Sequence, residues 1–223
     1  MKKAYILPQL QDFPDKTNTL TAENLQCIRD DRILFEGLNF TLQAGEILQI
    51  EGRNGSGKTS LLRILCGLTL PTEGTVLWKN QDIQTTRTEF CAELSYIGHV
   101  PGIKQELTPL ENLAITQALG AQTTAIPRME ALSIVGLYGF EDVPTRNLSA
   151  GQQRRVALAR LLIHHTPLWI LDEPFTALDK TAIAMVEALL DAHARRGGMG
   201  VVTSHHHINC EHAKCLHLTE FSD

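Results

Sequence analysis

The stretch that decides the fold is Gly52-Arg53-Asn54-Gly55-Ser56-Gly57-Lys58-Thr59, which is followed by Ser60. It matches the pattern G-x-x-x-x-G-K-[S/T]. Its glycines let the backbone turn tightly, so that successive N–H groups point inward at phosphate oxygens. The sequence therefore predicts a phosphate-binding loop over residues 52–60.

Two side chains of this loop carry further chemistry. Lys58 brings a positive charge to the β- and γ-phosphates of a nucleotide, and the Thr59 hydroxyl is suited to ligate Mg²⁺. The loop follows the apolar segment Ile47–Ile50, which is typical of a short buried strand, and precedes a predicted helix over about Lys58 to Leu65. A chance match in a Gly-rich loop is the alternative, but this strand–loop–helix context favours nucleotide binding.

Composition excludes several classes of protein. The chain has 223 residues, of which 43% are hydrophobic and 20% are charged, with a formal net charge of −5. These values are typical of a globular protein with a full core, and they exclude a disordered chain, a collagen-like chain and a small disulfide scaffold. The mild acidity argues against direct binding of nucleic acid, which usually accompanies a basic excess.

Three observations indicate a cytoplasmic setting. No stretch approaches the ~18 to 20 apolar residues that span a bilayer. The apolar run Ala4–Leu7 behind Met1-Lys2-Lys3 ends at Pro8, too early for a signal sequence. The five cysteines are Cys27, Cys66, Cys91, Cys210 and Cys215. They form no C-x-x-C pair, so a reduced compartment is expected.

The chain divides into a short extension and one domain. Residues 1–19 contain Pro8 and Pro14 and no periodic apolar pattern, which predicts a flexible, loosely attached N-terminal extension. From residue 20 to residue 223, apolar strands alternate with helical patterns, which predicts an α/β fold with a mostly parallel sheet and flanking helices. A helical insertion is expected in the middle, where Pro109–Gly139 has apolar residues at helical spacing.

Two segments near the start of the domain alternate apolar and polar residues. They are Leu25–Ile28 and Leu38–Leu42, with Asp30-Asp31 between them. The alternation predicts two strands, and the two acidic residues predict the turn that lies between them. A further strand is expected at Thr75–Trp78, directly after the turn residues Pro71-Thr72-Glu73-Gly74.

A second candidate site lies where a predicted buried strand ends in two carboxylates. The strand Leu168–Leu171 is followed by Asp172 and Glu173. The carboxyl edge of a parallel sheet would place Asp172 near the phosphate loop, where it can hold Mg²⁺ through the water shell of the ion. Glu173 could then act as general base toward an attacking water. A strand that simply leaves the core through two acidic residues is the alternative, and the neighbouring phosphate loop disfavours it.

The segment Leu148-Ser149-Ala150-Gly151-Gln152-Gln153 resembles the LSGGQ signature of ATP-binding cassette (ABC) transporters, which ordinary P-loop kinases and GTPases lack. The order of phosphate loop, signature, acidic strand and final His also resembles that family over residues 20–218. The resemblance implies a P-loop NTPase (RecA-like) fold with a mostly parallel sheet core, an antiparallel β subdomain and an inserted α-helical subdomain at about residues 101–158. It also implies a single ABC ATPase domain over residues 20–223.

The signature segment also has the sequence pattern that begins a helix. Ser149 stands at a predicted N-cap and Gln152 follows three residues later, which is the spacing of a capping box. In the family, this helix end contacts the γ-phosphate of ATP that is bound by the other subunit. The resemblance therefore implies an ATP-dependent homodimer in which Leu148, Ser149, Ala150, Gly151 and Gln152 contact ATP in trans. A helix that is merely well capped is the alternative.

Other site residues are implied by the resemblance one at a time. Glu173 resembles the catalytic base of the family, and His205 resembles the switch His that contacts the γ-phosphate and helps to position water. Asp179 resembles the Asp of the D-loop, which couples the two ATP sites. Thr59 and Asp172 would hold Mg²⁺, so the implied cofactors are ATP and Mg²⁺.

Two positions depart from the family pattern. Val100 stands where the family usually has a Gln after the predicted strand Leu94–Gly98, and Gln105 is too far along the chain to be an obvious substitute. Valine has no side-chain oxygen, so we expect slower hydrolysis. The first hairpin turn also lacks an aromatic residue for stacking adenine. Arg29 could stack there instead, although an Arg that is merely solvated is an equal alternative.

The more specific resemblance is to the ATP-binding subunit of the cytochrome c maturation system, often called the haem exporter. It depends on three runs, Gly98–Lys104, Leu137–Pro144 and Ser149–Leu161, together with Leu168–Ala177. It implies integral membrane permease subunits as partners, a peripheral location on the cytoplasmic face of the cell membrane, and hydrolysis that releases a haem-loaded chaperone. An ABC exporter for another substrate and a soluble, non-transport ABC protein are the alternatives.

Two further runs are rich in charged or metal-ligating residues, and we assign neither of them a functional role. His205-His206-His207-Ile208-Asn209-Cys210-Glu211-His212, with Cys215 and His217, resembles a metal or haem cluster, but it contains no C-x-x-C-H. We interpret it as a polar loop that runs into a last strand. Arg154-Arg155 is interpreted as the charged face of a helix rather than as a nucleic-acid patch.

Overall fold

The fold consists of a parallel sheet, an antiparallel sheet and a set of helices. A computed structural model describes residues 10–120, 126–205 and 207–218. The strands are β1 (Thr19–Arg29), β2 (Arg32–Gln43), β3 (Ile47–Glu51), β4 (Glu73–Trp78), β5 (Gln81–Asp82), β6 (Leu94–Ile97), β7 (Leu168–Asp172), β8 (Met199–Thr203) and β9 (Ala213–His217). The helices are α1 (Lys58–Leu65), α2 (Arg87–Ala92), α3 (Pro109–Leu119), α4 (Arg128–Ile134), α5 (Ala150–Ile163) and α6 (Lys180–Arg195), with a 3-10 turn at Thr145–Asn147.

The central sheet has the strand order β6-β7-β8-β3-β9, and its paired strands are parallel. Every residue of β7 and β8 is buried, which explains why these strands are almost continuously apolar. Because the strands run in one direction, their carboxyl ends share one edge. The predicted α/β class with a mostly parallel sheet is confirmed, and its shared edge carries the phosphate loop and the acidic pair.

The second sheet is antiparallel, with the strand order β2-β1-β4-β5. The turn between β1 and β2 consists of Asp30 and Asp31, whose φ angles are 50° and 60°. Two left-handed residues in a two-residue loop give the twist that a tight hairpin needs, and Asp tolerates this region better than most residues. The two strands and the turn predicted at Asp30-Asp31 are confirmed.

The middle of the chain is helical, as predicted, with α3 and α4 packed on α5. Helix α3 begins at a capping box in which the Thr108 side chain accepts from the Glu111 backbone N–H and the Glu111 carboxylate accepts from that of Thr108. The buried Asn112 side chain ties the preceding loop down by bonding both the N–H and the carbonyl of Lys104. Among the described residues, no helix is both long and apolar enough to cross a bilayer.

The structure differs from the expected loose extension where residues 10–18 are described. Phe13 is buried, its ring stacks on that of His165 at 4.3 Å, and its backbone N–H donates to the Arg196 carbonyl at 2.9 Å. The Phe13 ring, the packing of Leu10 on the core and bonds of Arg196 to Gln11 and Phe13 attach this segment to the domain, although its sequence has no periodic pattern. Residues 1–9 lie outside the described residues.

His193 of α6 is fully buried between the helix and the sheet. Its Nε2–H points at the carbonyls of Pro167 and Met199, each at 3.2 Å, and its ring stacks on Trp169 at 3.8 Å. Its Nδ1 has no hydrogen-bond partner among the described residues. Burial, together with the nearby Arg196 charge, lowers the pKa of His193 from 6.5 to about 3. The native protein therefore holds this ring neutral.

This buried ring predicts an acid-sensitive fold. Because the folded pKa lies below the unfolded value of 6.5, His193 stabilises the fold fully above pH 6.5 and progressively less toward pH 3. We expect the free energy of unfolding to fall by about 2 kcal/mol more between pH 7 and pH 5 in the wild type than in His193→Gln. Urea denaturation at both pH values measures this difference.

The matched control is His207→Gln, which changes an exposed His of the same type. It should keep the pH dependence of the wild type. Equal pH dependence in His193→Gln and the wild type would show that burial of this ring does not couple folding to pH.

Candidate functional site

The phosphate loop joins β3 to α1 and depends on two glycine conformations. Gly55 and Gly57 have φ angles of 86° and 90°, a region that side chains rarely adopt. A Cβ on Gly57 would also lie 3.0 Å from the Leu34 Cβ of β2. The glycine spacing seen in the sequence is thus required by the backbone path, and it directs the loop onto the first turn of α1.

Lys58 is the first residue of α1 and its side chain folds back over the loop. Its Nζ donates to the carbonyls of Gly52 at 2.7 Å and Arg53 at 3.0 Å. The ammonium group is largely buried, so its charge is little screened by water. The loop therefore presents a fixed positive charge beside the backbone N–H groups at the start of a helix, an arrangement that suits a phosphate chain.

Asp172 connects the phosphate loop to the sheet. Its Oδ2 accepts from the Thr59 hydroxyl at 2.9 Å and its Oδ1 accepts from the Thr203 hydroxyl at 2.8 Å. The side chain is 1% exposed, so these bonds compensate for the loss of water. The two residues predicted to hold Mg²⁺ are thus in direct contact. Their hydroxyl and carboxylate oxygens are the hard ligands that this ion prefers.

Glu173 follows at the end of β7 in a strained conformation, with a φ of 49°. Its backbone N–H donates to the Thr203 hydroxyl at 2.9 Å, which fixes that geometry. Its Oε1 lies 3.4 Å from Nε2 of His205, and it makes no hydrogen bond among the described residues. The two predicted catalytic side chains are therefore adjacent, and a carboxylate oxygen is left to accept a proton.

Arg154 corrects the interpretation of Arg154-Arg155 as a charged helix face. The guanidinium group is buried and donates to the carbonyls of Asp172 at 2.6 Å and Gly98 at 2.8 Å, and also to that of Glu173. Burial lowers the pKa of Arg154, and the carboxylates of Asp172 and Glu173 partly oppose that shift. Arg154 thus fixes the backbone of Asp172 and Glu173 by hydrogen bonds to both of their carbonyls. A sequence gives no sign of such a contact, because it depends on where α5 crosses the sheet.

These groups open onto one cavity of about 490 Å³. It is lined by Leu34, Asn54, Gly55, Gly57, Lys58, Thr59, Ser60, His99, Asp172, Glu173, Thr176 and His205. Sequence reasoning missed Leu34, His99 and Thr176. Of these three, His99 could have been predicted from the sequence. It lies two residues beyond the end of β6, and the end of that strand shares one sheet edge with the acidic pair. Val100 does not line this cavity and its side chain is 76% exposed.

The signature segment starts α5, as its spacing predicts. The Ser149 hydroxyl accepts from the Gln152 N–H at 3.2 Å, and the Gln152 Oε1 accepts from the Ser149 N–H at 2.9 Å. A Cβ on Gly151 would lie 2.5 Å from the Ala177 carbonyl, so this residue must be glycine unless the backbones separate. Ser149 and Ala150 are exposed, and residues 148–152 are not among those that line the cavity of their own chain.

Asp179 lies on the loop that contacts the signature helix. Its side chain caps α6 by accepting from the Ala182 N–H at 2.7 Å, and its Oδ2 lies 3.8 Å from a guanidinium nitrogen of Arg155 on α5. It does not line the nucleotide-sized cavity. The predicted D-loop residue is therefore placed beside the signature helix rather than beside the phosphate loop of the same chain.

Comparison with known proteins agrees with this geometry. The family model described as "ABC transporter" matches residues 35–176. The chain is 57% identical to the cytochrome c biogenesis ATP-binding export protein CcmA of Methylococcus capsulatus, over 84% of this chain and 91% of that protein. It is 50% identical to the protein of the same name from Nitrosococcus oceani, over 98% of this chain and 97% of that protein.

Solved structures show the same fold. A putative ABC transporter ATP-binding protein from Pyrococcus furiosus aligns with a TM-score of 0.76 and 21% identity, over 89% of this chain and 97% of that chain. A dimeric ATP-binding cassette in a post-hydrolysis state, bound to ADP and Pi, aligns with a TM-score of 0.72 and 26% identity, over 84% and 88% of the two chains. The chain belongs to the ABC transporter family, among the cytochrome c biogenesis ATP-binding export proteins, and it is an ATP hydrolase.

Proposed function

We propose that this chain is the ATP-hydrolysing subunit of a membrane complex that serves maturation of c-type cytochromes, where hydrolysis drives release of a haem-loaded chaperone. The observation that carries the hydrolase function is the contact of Thr59 and Thr203 with one buried carboxylate, Asp172, next to Glu173. The cytochrome function is supported by the names of relatives that are 57% and 50% identical. We propose residues 20–223 as one ATPase domain, with a helical subdomain at about residues 101–158.

The residues of the cavity support a division of labour in hydrolysis. The loop N–H groups and Lys58 hold the β- and γ-phosphates. Thr59 and Asp172 would hold Mg²⁺, which when bound would supply neutralisation of charge on the phosphate oxygens. Water attacks the γ-phosphorus as the bond to the ADP oxygen breaks, and Glu173 accepts the proton of that water. His205, 3.4 Å from Glu173, contacts the γ-phosphate and orients the water.

The exposed signature supports a head-to-tail dimer that forms around ATP. Residues 148–152 do not line the cavity of their own chain, yet they form a helix start with an exposed serine at its N-cap, and the N–H groups of a first turn point outward along the helix axis. In a twofold dimer, each signature can face the phosphate loop of the other chain, so that two identical composite sites form. The 26% identical dimeric cassette bound to ADP and Pi is a precedent for a dimer in this fold.

A second cavity supports a membrane partner. It has a volume of about 570 Å³ and lies between β6, α3 and α5, on the same side as the segment Val100–Leu107. Its lining includes Tyr96, Lys104 and Leu119, of which Leu119 is a strongly exposed apolar residue. We propose that a cytoplasmic segment of an integral membrane permease docks here, so that the chain binds peripherally to the cytoplasmic face of the membrane.

Removal of the proposed base should separate binding from hydrolysis. Glu173→Gln keeps the shape of the side chain but cannot accept the proton, so ATP turnover should fall by at least about 100-fold while ATP binding persists. Because the bound ATP is not consumed, the variant should accumulate as a dimer with ATP and Mg²⁺. Phosphate release and light scattering after gel filtration measure the two effects.

The matched control is Glu89→Gln, which removes an exposed carboxylate on α2, outside the cavity. It should hydrolyse ATP and dimerise like the wild type. A Glu173→Gln chain that stays monomeric in saturating ATP and Mg²⁺, even with its membrane partner present, would contradict the ATP-dependent dimer.

Complementation tests whether the signature acts in trans. Lys58→Ala disables one phosphate loop, and Ser149→Arg disables one signature, so each variant alone should be inactive. In a head-to-tail dimer, a mixed pair keeps one intact composite site, and random pairing should restore at most about a quarter of the wild-type turnover. If mixing restores nothing although mixed dimers form, the signature does not serve the site of its partner.

The place of Val100 in the sequence, where the family usually has a Gln, predicts a slow enzyme, although its exposed side chain does not line the cavity in this structure. Introducing Val100→Gln adds a side-chain oxygen at the point where the family usually has one, and it should raise ATP turnover severalfold and lower the Mg²⁺ concentration that is required. Val100→Ala, which adds no oxygen, is the control and should leave both quantities unchanged. Unchanged turnover and Mg²⁺ dependence in Val100→Gln would remove this explanation.

A further inference from the structure

The His- and Cys-rich segment between β8 and β9 meets helix α6 at one point. Nδ1 of His212 lies 3.3 Å from Oδ1 of Asp191, and Sγ of Cys210 lies 3.6 Å from the same oxygen. The three ligand atoms lie within 4.8 Å of one another, and all three residues are half-buried. A thiol, an imidazole and a carboxylate therefore converge, although Asp191 is distant from the other two in the sequence.

The observed separations match the edges of a zinc coordination tetrahedron. Zn²⁺ binds Cys sulfur at about 2.3 Å, His nitrogen at about 2.05 Å and carboxylate oxygen at about 2.0 Å. At the tetrahedral angle, these lengths place sulfur and oxygen about 3.5 Å apart and nitrogen and oxygen about 3.3 Å apart. The corresponding distances in the structure are 3.6 Å and 3.3 Å, and the third pair, sulfur and nitrogen, lies within 4.8 Å. Two of the three edges thus already have the length that the ion requires.

The local charge also suits a cation. Arg195 binds Asp191 through Oδ2, which orients the other oxygen toward Cys210 and His212. The carboxylates of Glu187 and Glu211 lie close enough to act electrostatically on Cys210. Three carboxylates against one guanidinium leave this region negative before any thiolate forms, which favours binding of a divalent cation.

We propose that Asp191, Cys210 and His212 bind one Zn²⁺ ion, with water at the fourth position. The site lies outside the nucleotide cavity and is independent of the hydrolysis mechanism. Its effect would be to fasten the segment that follows His205 onto α6, so that the strand β9 and the His205 loop share one anchor. The segment is the polar loop that runs into the last strand, as predicted, and the proposal adds an ion to that loop.

A second cluster provides the matched comparison. Glu51, Cys215 and His217 also lie together, but Cys215 contacts Nε2 of the His217 ring at 3.5 Å whereas Glu51 contacts Nδ1 at 3.4 Å. One ligand atom from each residue lies within 4.8 Å of the others, as in the first cluster, but the closest contacts use opposite nitrogens of one ring, and a single ion can bind only one of them. Cys215 and His217 are also exposed, whereas Cys210 and His212 are partly shielded.

Metal titration of the full chain without an affinity tag tests the proposal, with Co²⁺ as the spectroscopic probe. The wild type should bind one Co²⁺ per chain with a sulfur-to-metal charge-transfer band, and Zn²⁺ should displace it. Cys210→Ser should lose that band, and both Cys210→Ser and His212→Gln should bind Zn²⁺ at least about tenfold more weakly. Cys215→Ser and His217→Gln should behave like the wild type.

Retained ATP binding in the four variants shows that each of them is folded. No displacement of Co²⁺ by micromolar Zn²⁺, a charge-transfer band that survives in Cys210→Ser, or a band lost in Cys215→Ser would each overturn the assignment. Because ATP binding is measured separately, failure of this site leaves the proposed hydrolase function untouched.

Discussion

The buried carboxylate of Asp172 is the contact on which the rest of the site depends. A carboxylate that is 1% exposed must be hydrogen-bonded, and its two oxygens reach Thr59 of α1 and Thr203 of β8. Three elements that are far apart in the sequence are thereby held at one edge of the sheet. The same arrangement fixes the backbone of Glu173, because its N–H donates to the Thr203 hydroxyl and its carbonyl accepts from Arg154.

Close backbone contact explains why the signature helix faces away from its own nucleotide cavity. Gly151 sits where a Cβ would lie 2.5 Å from the Ala177 carbonyl, so α5 is pressed against the loop that follows the acidic pair. On the buried side of the same helix, Arg154 donates hydrogen bonds to the carbonyls of Asp172 and Glu173. One helix thus supports the acidic pair of its own chain while Ser149 and Ala150 at its start stay exposed, which leaves them accessible to a second chain.

The predictable parts of the molecule are those set by local rules. The phosphate loop follows from the φ angles that only glycine adopts easily, the start of α5 follows from a capping box, and the β1–β2 turn follows from two Asp residues. Arg154 and Phe13 could not be assigned in this way, and His99 only from its place just beyond a strand of the parallel sheet. Their surroundings are created by elements distant in the sequence, and a charged or aromatic residue has the same local signal whether it is buried or exposed.

The contact between His205 and Glu173 is positioned by hydrogen bonds on both sides of His205 in the sequence. Before it, Thr203 is fixed by Asp172, and after it, the buried Ile208 donates its N–H to the Gln49 side chain at 3.0 Å. His205 lies between these two anchors, is about half exposed and touches Glu173 at 3.4 Å. The contact of His205 with Glu173 therefore lies between two points where the chain is tied to β7 and β3, through Asp172 and Gln49. The side chains that face the cavity at this edge of the sheet are thus set by hydrogen bonds between strands that are distant in the sequence.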